Sequence, residues 1–144
     1  MQSSDAERSI GYLVKRVQQG LRRRCDAALK AIGISMAQYA TLRALDEHPD
    51  ASAAELARLC FVTRQSLQDM LTGLRAAGLV ENATAESRGR AQSLALTRVG
   101  SRRLRSAHDA VFGVEAAMLH GISAHERPSV AKALLRCAKN MESL

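Results

Sequence analysis

Between Ala51 and Thr97 two short amphipathic helical patterns are followed by a hairpin pattern with arginines at its tip, and this order restricts the fold more than any composition total. The first pattern, residues 52–60, breaks at Phe61-Val62. The second opens at Thr63, carries Leu67, Met70, Leu71 and Leu74 on one face, and stops at Gly78. Thr63 suits an N-cap, because its side-chain oxygen can accept from a first-turn N–H that has no helical partner. Gly78 can take the left-handed conformation that ends a helix. Residues 79–84 and 92–96 then alternate in part around the polar stretch 85–90, the sequence form of a β-hairpin with an irregular loop. Helix, turn, helix and hairpin in this order predict a DNA-binding winged helix-turn-helix.

The flanking sequence is helical. A first long helix is expected from about Ser4 to Ala31, with Ile10, Leu13, Val14, Val17, Leu21, Cys25 and Ala28 at steps of three and four, closing at Gly33. A second runs from Ser35, its cap, to Glu47, ends at His48-Pro49, and buries Met36, Tyr39, Leu42 and Leu45. Thr97 caps a further long helix through Val99, Leu104, Ala107, Val111, Val114 and Met118 to about His120, ended by Gly121. Ser123 and Glu126 form a capping-box pattern that opens a last helix, striped by Val130, Leu134, Leu135, Ala138 and Met141. The fold class is therefore mainly α, with a small β component (α+β). An alanine-rich chain with 3% aromatic residues and no Trp agrees with it.

The length, 144 residues, suits one compact chain. Within it, residues 35–97 form the DNA-binding lobe, and residues 1–34 and 98–144 supply helices with more apolar side chain than so small a lobe can cover. Pairing two chains through those helices buries the excess and gives a homodimer able to engage paired half-sites.

Net charge is +7, from 21 Lys and Arg against 14 Asp and Glu, and the sequence pI is near 10.0. Such a field favours a polyanionic partner. The charge gathers where the hairpin and its following helix are expected: Arg88, Arg90, Arg98, Arg102, Arg103 and Arg105 occur with no intervening acid. Arg22-Arg23-Arg24 reads as a solvated helix face. No apolar run reaches the ~20 residues that span a bilayer, and the first residues lack the order of a signal peptide, so a cytoplasmic protein without a membrane partner is expected. Cys25, Cys60 and Cys137 are odd in number and widely spaced, which argues for reduced thiols. No metal-ligand spacing, nucleotide loop, nucleophile elbow or paired-carboxylate pattern is present, so neither a metal, a cofactor nor an enzyme is expected.

On the second helix of the pair, Gln65, Gln68, Asp69 and Thr72 lie opposite the leucines, with Arg64 on the flank. Glutamine pairs bidentately with adenine and arginine with guanine, and hydroxyls such as those of Ser66 and Thr72 contact bases or phosphates. Asp69 is discordant near phosphates unless it accepts from cytosine or orients an arginine. In Arg88-Gly89-Arg90 the glycine permits a tight turn, and the guanidinium groups suit a narrow, electronegative minor groove.

The succession Gly33-Ile34-Ser35-Met36-Ala37-Gln38-Tyr39, Glu55-Leu56-Ala57, Phe61-Val62-Thr63-Arg64-Gln65-Ser66, Ala77-Gly78-Leu79-Val80-Glu81 and Arg88-Gly89-Arg90 to Leu96-Thr97 resembles the MarR family of bacterial transcription regulators. The resemblance covers nearly the whole chain and is strongest from Gly33 to Gly100. It implies a homodimeric repressor of a palindromic promoter site, with Thr63, Arg64, Gln65, Ser66 and Gln68 in the major groove and Arg90 in the minor groove. With Thr72 and Arg88 these are the candidate contacts to double-stranded DNA. Two departures stand out: Arg88 occupies the place of a frequent wing aspartate, leaving Glu86 as the nearest acid, and Arg64 stands where relatives often have proline.

The resemblance also implies release by a small aromatic acid or phenol held between the long helices and the lobe, with Arg16, Tyr39, Arg43, His108 and Phe112 as candidate lining. Some relatives sense oxidants through a low-pKa cysteine near the start of the first helix. Here the nearest analogue is Cys25, beside three arginines that could lower its pKa. All three cysteines nevertheless fall within apolar stripes, where a small buried hydrophobe is the expected role. The competing readings are a redox regulator, a non-specific architectural DNA binder, and a protein- or ligand-binding module on the same fold.

Overall fold

The computed structural model describes Asp5 and residues 8–83 and 94–144. The expected hairpin tip, with Arg88, Gly89 and Arg90, and the expected first residues of the long N-terminal helix lie outside them. In chain order the described elements are α1 (Ile10–Lys30), α2 (Met36–Glu47), α3 (Ala53–Leu59), α4 (Arg64–Ala76), β1 (Val80–Asn82), β2 (Leu94–Leu96), α5 (Arg98–Met118) and α6 (Arg127–Glu142). The strands pair antiparallel with Val80 opposite Leu96 and Asn82 opposite Leu94.

Local chemistry explains most boundaries. The side chains of Ser35, Ser52, Thr63 and Thr97 accept from the backbone N–H of Gln38, Glu55, Ser66 and Gly100, each satisfying a first-turn donor. At Ser35 the box is complete, since the Gln38 side chain accepts from the Ser35 N–H at 2.9 Å. α1 and α4 end alike. Gly33 and Gly78 adopt φ of +87° and +75°, and the next residue sends its N–H back to the last turn, Ile34 to Leu29 O at 3.2 Å and Leu79 to Leu74 O at 2.9 Å. Ile34 and Leu79 are both buried, so each glycine turns an apolar side chain into the core as it stops a helix.

Three expected boundaries move. α1 begins at Ile10, because Ser9, directly before the first apolar residue of the stripe, is extended and caps it. α5 stops at Met118, two residues before the expected end. The last helix begins at Arg127, not directly after Ser123. Ser123 still accepts from the Glu126 N–H at 3.2 Å, but the Glu126 carboxylate takes the Ser123 hydroxyl at 3.1 Å and no reciprocal backbone bond forms. Pro128 then starts the helix.

The core joins the lobe to the inner halves of the long helices: Leu29 of α1, Tyr39, Leu42 and Leu45 of α2, Leu56 of α3, Leu67, Leu71 and Leu74 of α4, the strand residues Val80 and Leu94, and Leu104 and Ala107 of α5. The outer halves are bare. Ile10, Leu13, Val14 and Val17 of α1 and Val130, Leu134, Leu135 and Met141 of α6 are exposed, and α6 buries no residue at all. One corner fixes α5 to the end of α4. The Thr97 hydroxyl donates to Gly78 O at 2.6 Å, the Thr97 N–H donates to Leu79 O at 3.0 Å, and Gly100 lies so close that a Cβ there would overlap the Leu79 carbonyl.

Candidate nucleic-acid interface and effector cleft

Buried Leu67, Leu71 and Leu74 fasten one face of α4 to the core, so the opposite face is held outward. Arg64, Gln65, Ser66 and Thr72 are exposed there and Gln68 is half-buried. These side chains are not equally available. Thr63 is occupied as the cap and also donates to the Ser66 hydroxyl at 3.0 Å, while Thr72 donates to the Gln68 carbonyl at 2.9 Å. Arg64 makes no hydrogen bond or ion pair with a described residue. Within the chain Asp69 is set against a glutamine and not an arginine: its carboxylate accepts from the Gln65 amide at 3.1 Å, one turn away. That bond fixes the Gln65 side chain while leaving its carbonyl oxygen and a second N–H for a base edge. The unpaired N–H groups at the start of α4 add positive potential beside Arg64.

Beside the lobe, α1, α2, the α3–α4 turn and α5 enclose an open cleft of about 600 Å³. Gln18, Leu21, Arg22 and Cys25 come from α1, Met36, Tyr39 and Arg43 from α2, Cys60 and Phe61 from the turn, and Val111, Glu115 and Met118 from α5. Of the five residues expected to line such a space, Tyr39 and Arg43 do so. His108 and Phe112 stand behind Tyr39: the tyrosine hydroxyl is 2.9 Å from His108 Nδ1, and the rings of Tyr39 and His108 meet edge-on at 5.4 Å. Phe112 lies next, 6.4 Å from the His108 ring. Arg16 is not brought to this cleft and lines a separate groove between α1 and α5, with Leu13, Val17, Arg24, Val114 and Met118. Sequence reasoning missed Arg22, Cys60 and Phe61, which reach the cleft because helix α1 and the α3–α4 turn face each other across it. Only the break in the helical pattern at Phe61-Val62 marked the turn in the sequence.

Burial pushes the Tyr39 hydroxyl above the usual phenol range, against the pull of Arg43. Arg43 is held charged by its 2.9 Å ion pair with Glu47, which in turn lowers the Glu47 carboxyl. The cysteines follow the expected apolar role in part: Cys25 is buried and Cys60 half-buried. Burial raises the Cys25 thiol, and the nearby Asp26 and Glu115 raise it further, so the arginine run does not make a thiolate of it. Cys60 is raised by burial as well, and its S–H points to Ala40 O at 3.7 Å. Cys137 departs from the buried role expected of it and is exposed on α6. No helix among the described residues is long and apolar enough to cross a membrane.

Comparison with known proteins agrees with this architecture. Residues 32–91 match the model of the MarR family. The HTH-type transcriptional repressor Rv2887 of Mycobacterium tuberculosis is 34% identical over 118 residues, covering 82% of this chain and 85% of the relative. The crystal structure of that MarR family protein in complex with DNA superposes with a TM-score of 0.74 at 29% identity, covering 90% of this chain and 97% of that one. Its complex with salicylic acid gives 0.73 at 32%, covering 90% and 96%. The transcriptional regulator PA3341 gives 0.80 at 30%, covering 94% and 100%. The chain belongs to the MarR family and is a winged-helix, DNA-binding transcription regulator.

Proposed function

We propose that the protein is a homodimeric repressor that binds a palindromic promoter site and is released by a small aromatic acid. The outward face of α4 carries the proposal: a helix anchored by three buried leucines presents Arg64, Gln65, Ser66 and Gln68, a set that can hold phosphate and read base edges. In this reading residues 35–97 are the reading lobe, and residues 1–34 and 98–144 pair two copies through the bare apolar faces of α1 and α6. Arg90, with Arg88 beside it, enters the minor groove from the hairpin tip.

The cleft supports the effector part. It joins aromatic and sulfur-bearing walls to the guanidinium groups of Arg22 and Arg43, a combination suited to a planar ring with one carboxylate, and a relative has been crystallised with salicylic acid. Anisotropy titration against the protein's own promoter and a scrambled duplex at matched salt tests the central claim. Tighter binding to the promoter by at least about 10³ is expected, and equal affinities would leave an architectural binder. Arg90→Ala should weaken binding to both duplexes, whereas Gln65→Ala should change base preference.

A further inference from the structure

Phe61 is 94% exposed and sits at φ +56°, the one described residue other than glycine with positive φ. A bulky side chain in that conformation is strained, and a ring left in water returns nothing to the fold. Gly or Asn would make the same turn at lower cost. Strain without burial therefore points to a contact that the isolated chain does not contain.

The location narrows what that contact is. Phe61 is on the rim of the 600 Å³ cleft, where the opposite walls supply Met36, Met118 and the charged groups of Arg22 and Arg43. Two residues later Thr63 caps α4, so the backbone that holds the ring also sets the start of the helix that faces DNA. The turn is tied to the last turn of α3, by Val62 N–H to Ala57 O at 3.0 Å and Phe61 N–H to Arg58 O at 3.2 Å, and runs straight on into the cap of α4.

We infer that Phe61 is the effector-contacting residue that couples the cleft to α4: its ring stacks on a bound aromatic acid whose carboxylate is held by Arg22 or Arg43. Occupancy then pulls on the turn and re-aims the first turn of α4. This rests on the effector reading above and adds to it the residue through which binding is felt.

Because the chain has no tryptophan, Phe61→Trp places a single indole at the rim. Full-length dimeric protein is titrated with salicylate, following indole emission in this variant and heat of binding in wild type, Phe61→Gly and Phe61→Tyr. Expected are a saturable emission change, wild-type-like binding by Phe61→Tyr, and at least tenfold weaker binding by Phe61→Gly, with the salicylate needed for half-release of each protein from duplex rising in parallel. Phe61→Gly should also melt no lower than wild type, since it loses strain and no burial. Equal salicylate binding and release by wild type and Phe61→Gly would overturn the role of Phe61 and leave the regulator standing. A markedly lower melting temperature for Phe61→Gly would show that the ring is packed within the dimer, also overturning it. No salicylate binding by wild type would remove both this inference and the aromatic-acid reading, while duplex affinity would still report on DNA binding.

Discussion

Gly100 shows how far one hydrogen in place of a methyl can matter. In a helix interior alanine is favoured over glycine by about 1 kcal/mol. Here the added Cβ would collide with the Leu79 backbone, and a carbonyl pinned by the Thr97 N–H cannot step aside. Gly100→Ala should therefore lower stability by about 1–3 kcal/mol, the usual cost of overpacking, read as a fall in denaturant midpoint at unchanged slope. Cys25 gives a second residue-level expectation. Its folded-state pKa lies above the ordinary thiol value of 9.0, so its stabilising share is complete below pH 9.0 and is lost as pH climbs from there through the folded value. Thermal melts should fall in this alkaline window, and fall less steeply in Cys25→Ala. The opposite slope would mean that the thiol is charged in the folded protein.

Among the elements, α4 is the one whose chemistry divides most cleanly between packing and recognition. Asp69 brings negative charge to the face proposed to meet DNA, yet it holds the Gln65 amide in place. Asp69→Ala should raise affinity for every duplex about fivefold, matching roughly 1 kcal/mol for one charge near phosphate in water, and shrink the preference for the promoter as Gln65 loses its guide. Parallel titrations of matched and scrambled duplexes measure both effects. Legibility in the sequence differs by element for physical reasons. Ser35, Thr63 and Thr97 are capping residues directly before apolar periodicity, and each caps as read, while Ser52 caps α3 in the same way without having been singled out. Ser9 stands directly before Ile10, where the apolar period begins, and was passed over for a start near Ser4. The cleft was legible only in part, since Tyr39 and Arg43 follow from the position of α2, whereas Arg22 and Phe61 depend on how distant segments face each other. Helical period alone cannot state that angle, and Arg16, named from the resemblance, lines the groove between α1 and α5 and not this cleft.

For the molecule as a whole, the informative fact is the amount of apolar side chain the chain does not cover. Leu134 and Leu135 of α6 and Ile10, Val14 and Val17 of α1 are exposed together with Met141, at 69%. In the proposed dimer these faces meet. Leu134→Glu should then convert the dimer to monomer at micromolar concentration by light scattering. It should also cut operator affinity by at least about 100-fold, because the second half-site no longer adds to the first. A dimer that survives the change would place the interface elsewhere.

The corner where Thr97 grips Gly78 and Gly100 abuts Leu79 makes α4 and α5 one mechanical piece. α5 has 21 residues and so extends about 31 Å at 1.5 Å per residue. It acts as a lever arm, with the cleft near its far end and the DNA-facing helix bolted to its near end. A tilt of about 4° over that length shifts the tip by roughly 2 Å, enough in the proposed dimer to put two reading heads out of step with half-sites ~34 Å apart. In the proposed regulator, the pull of a bound ring at the Phe61 turn need be only small, since turning this ruler by a few degrees already misplaces the reading heads.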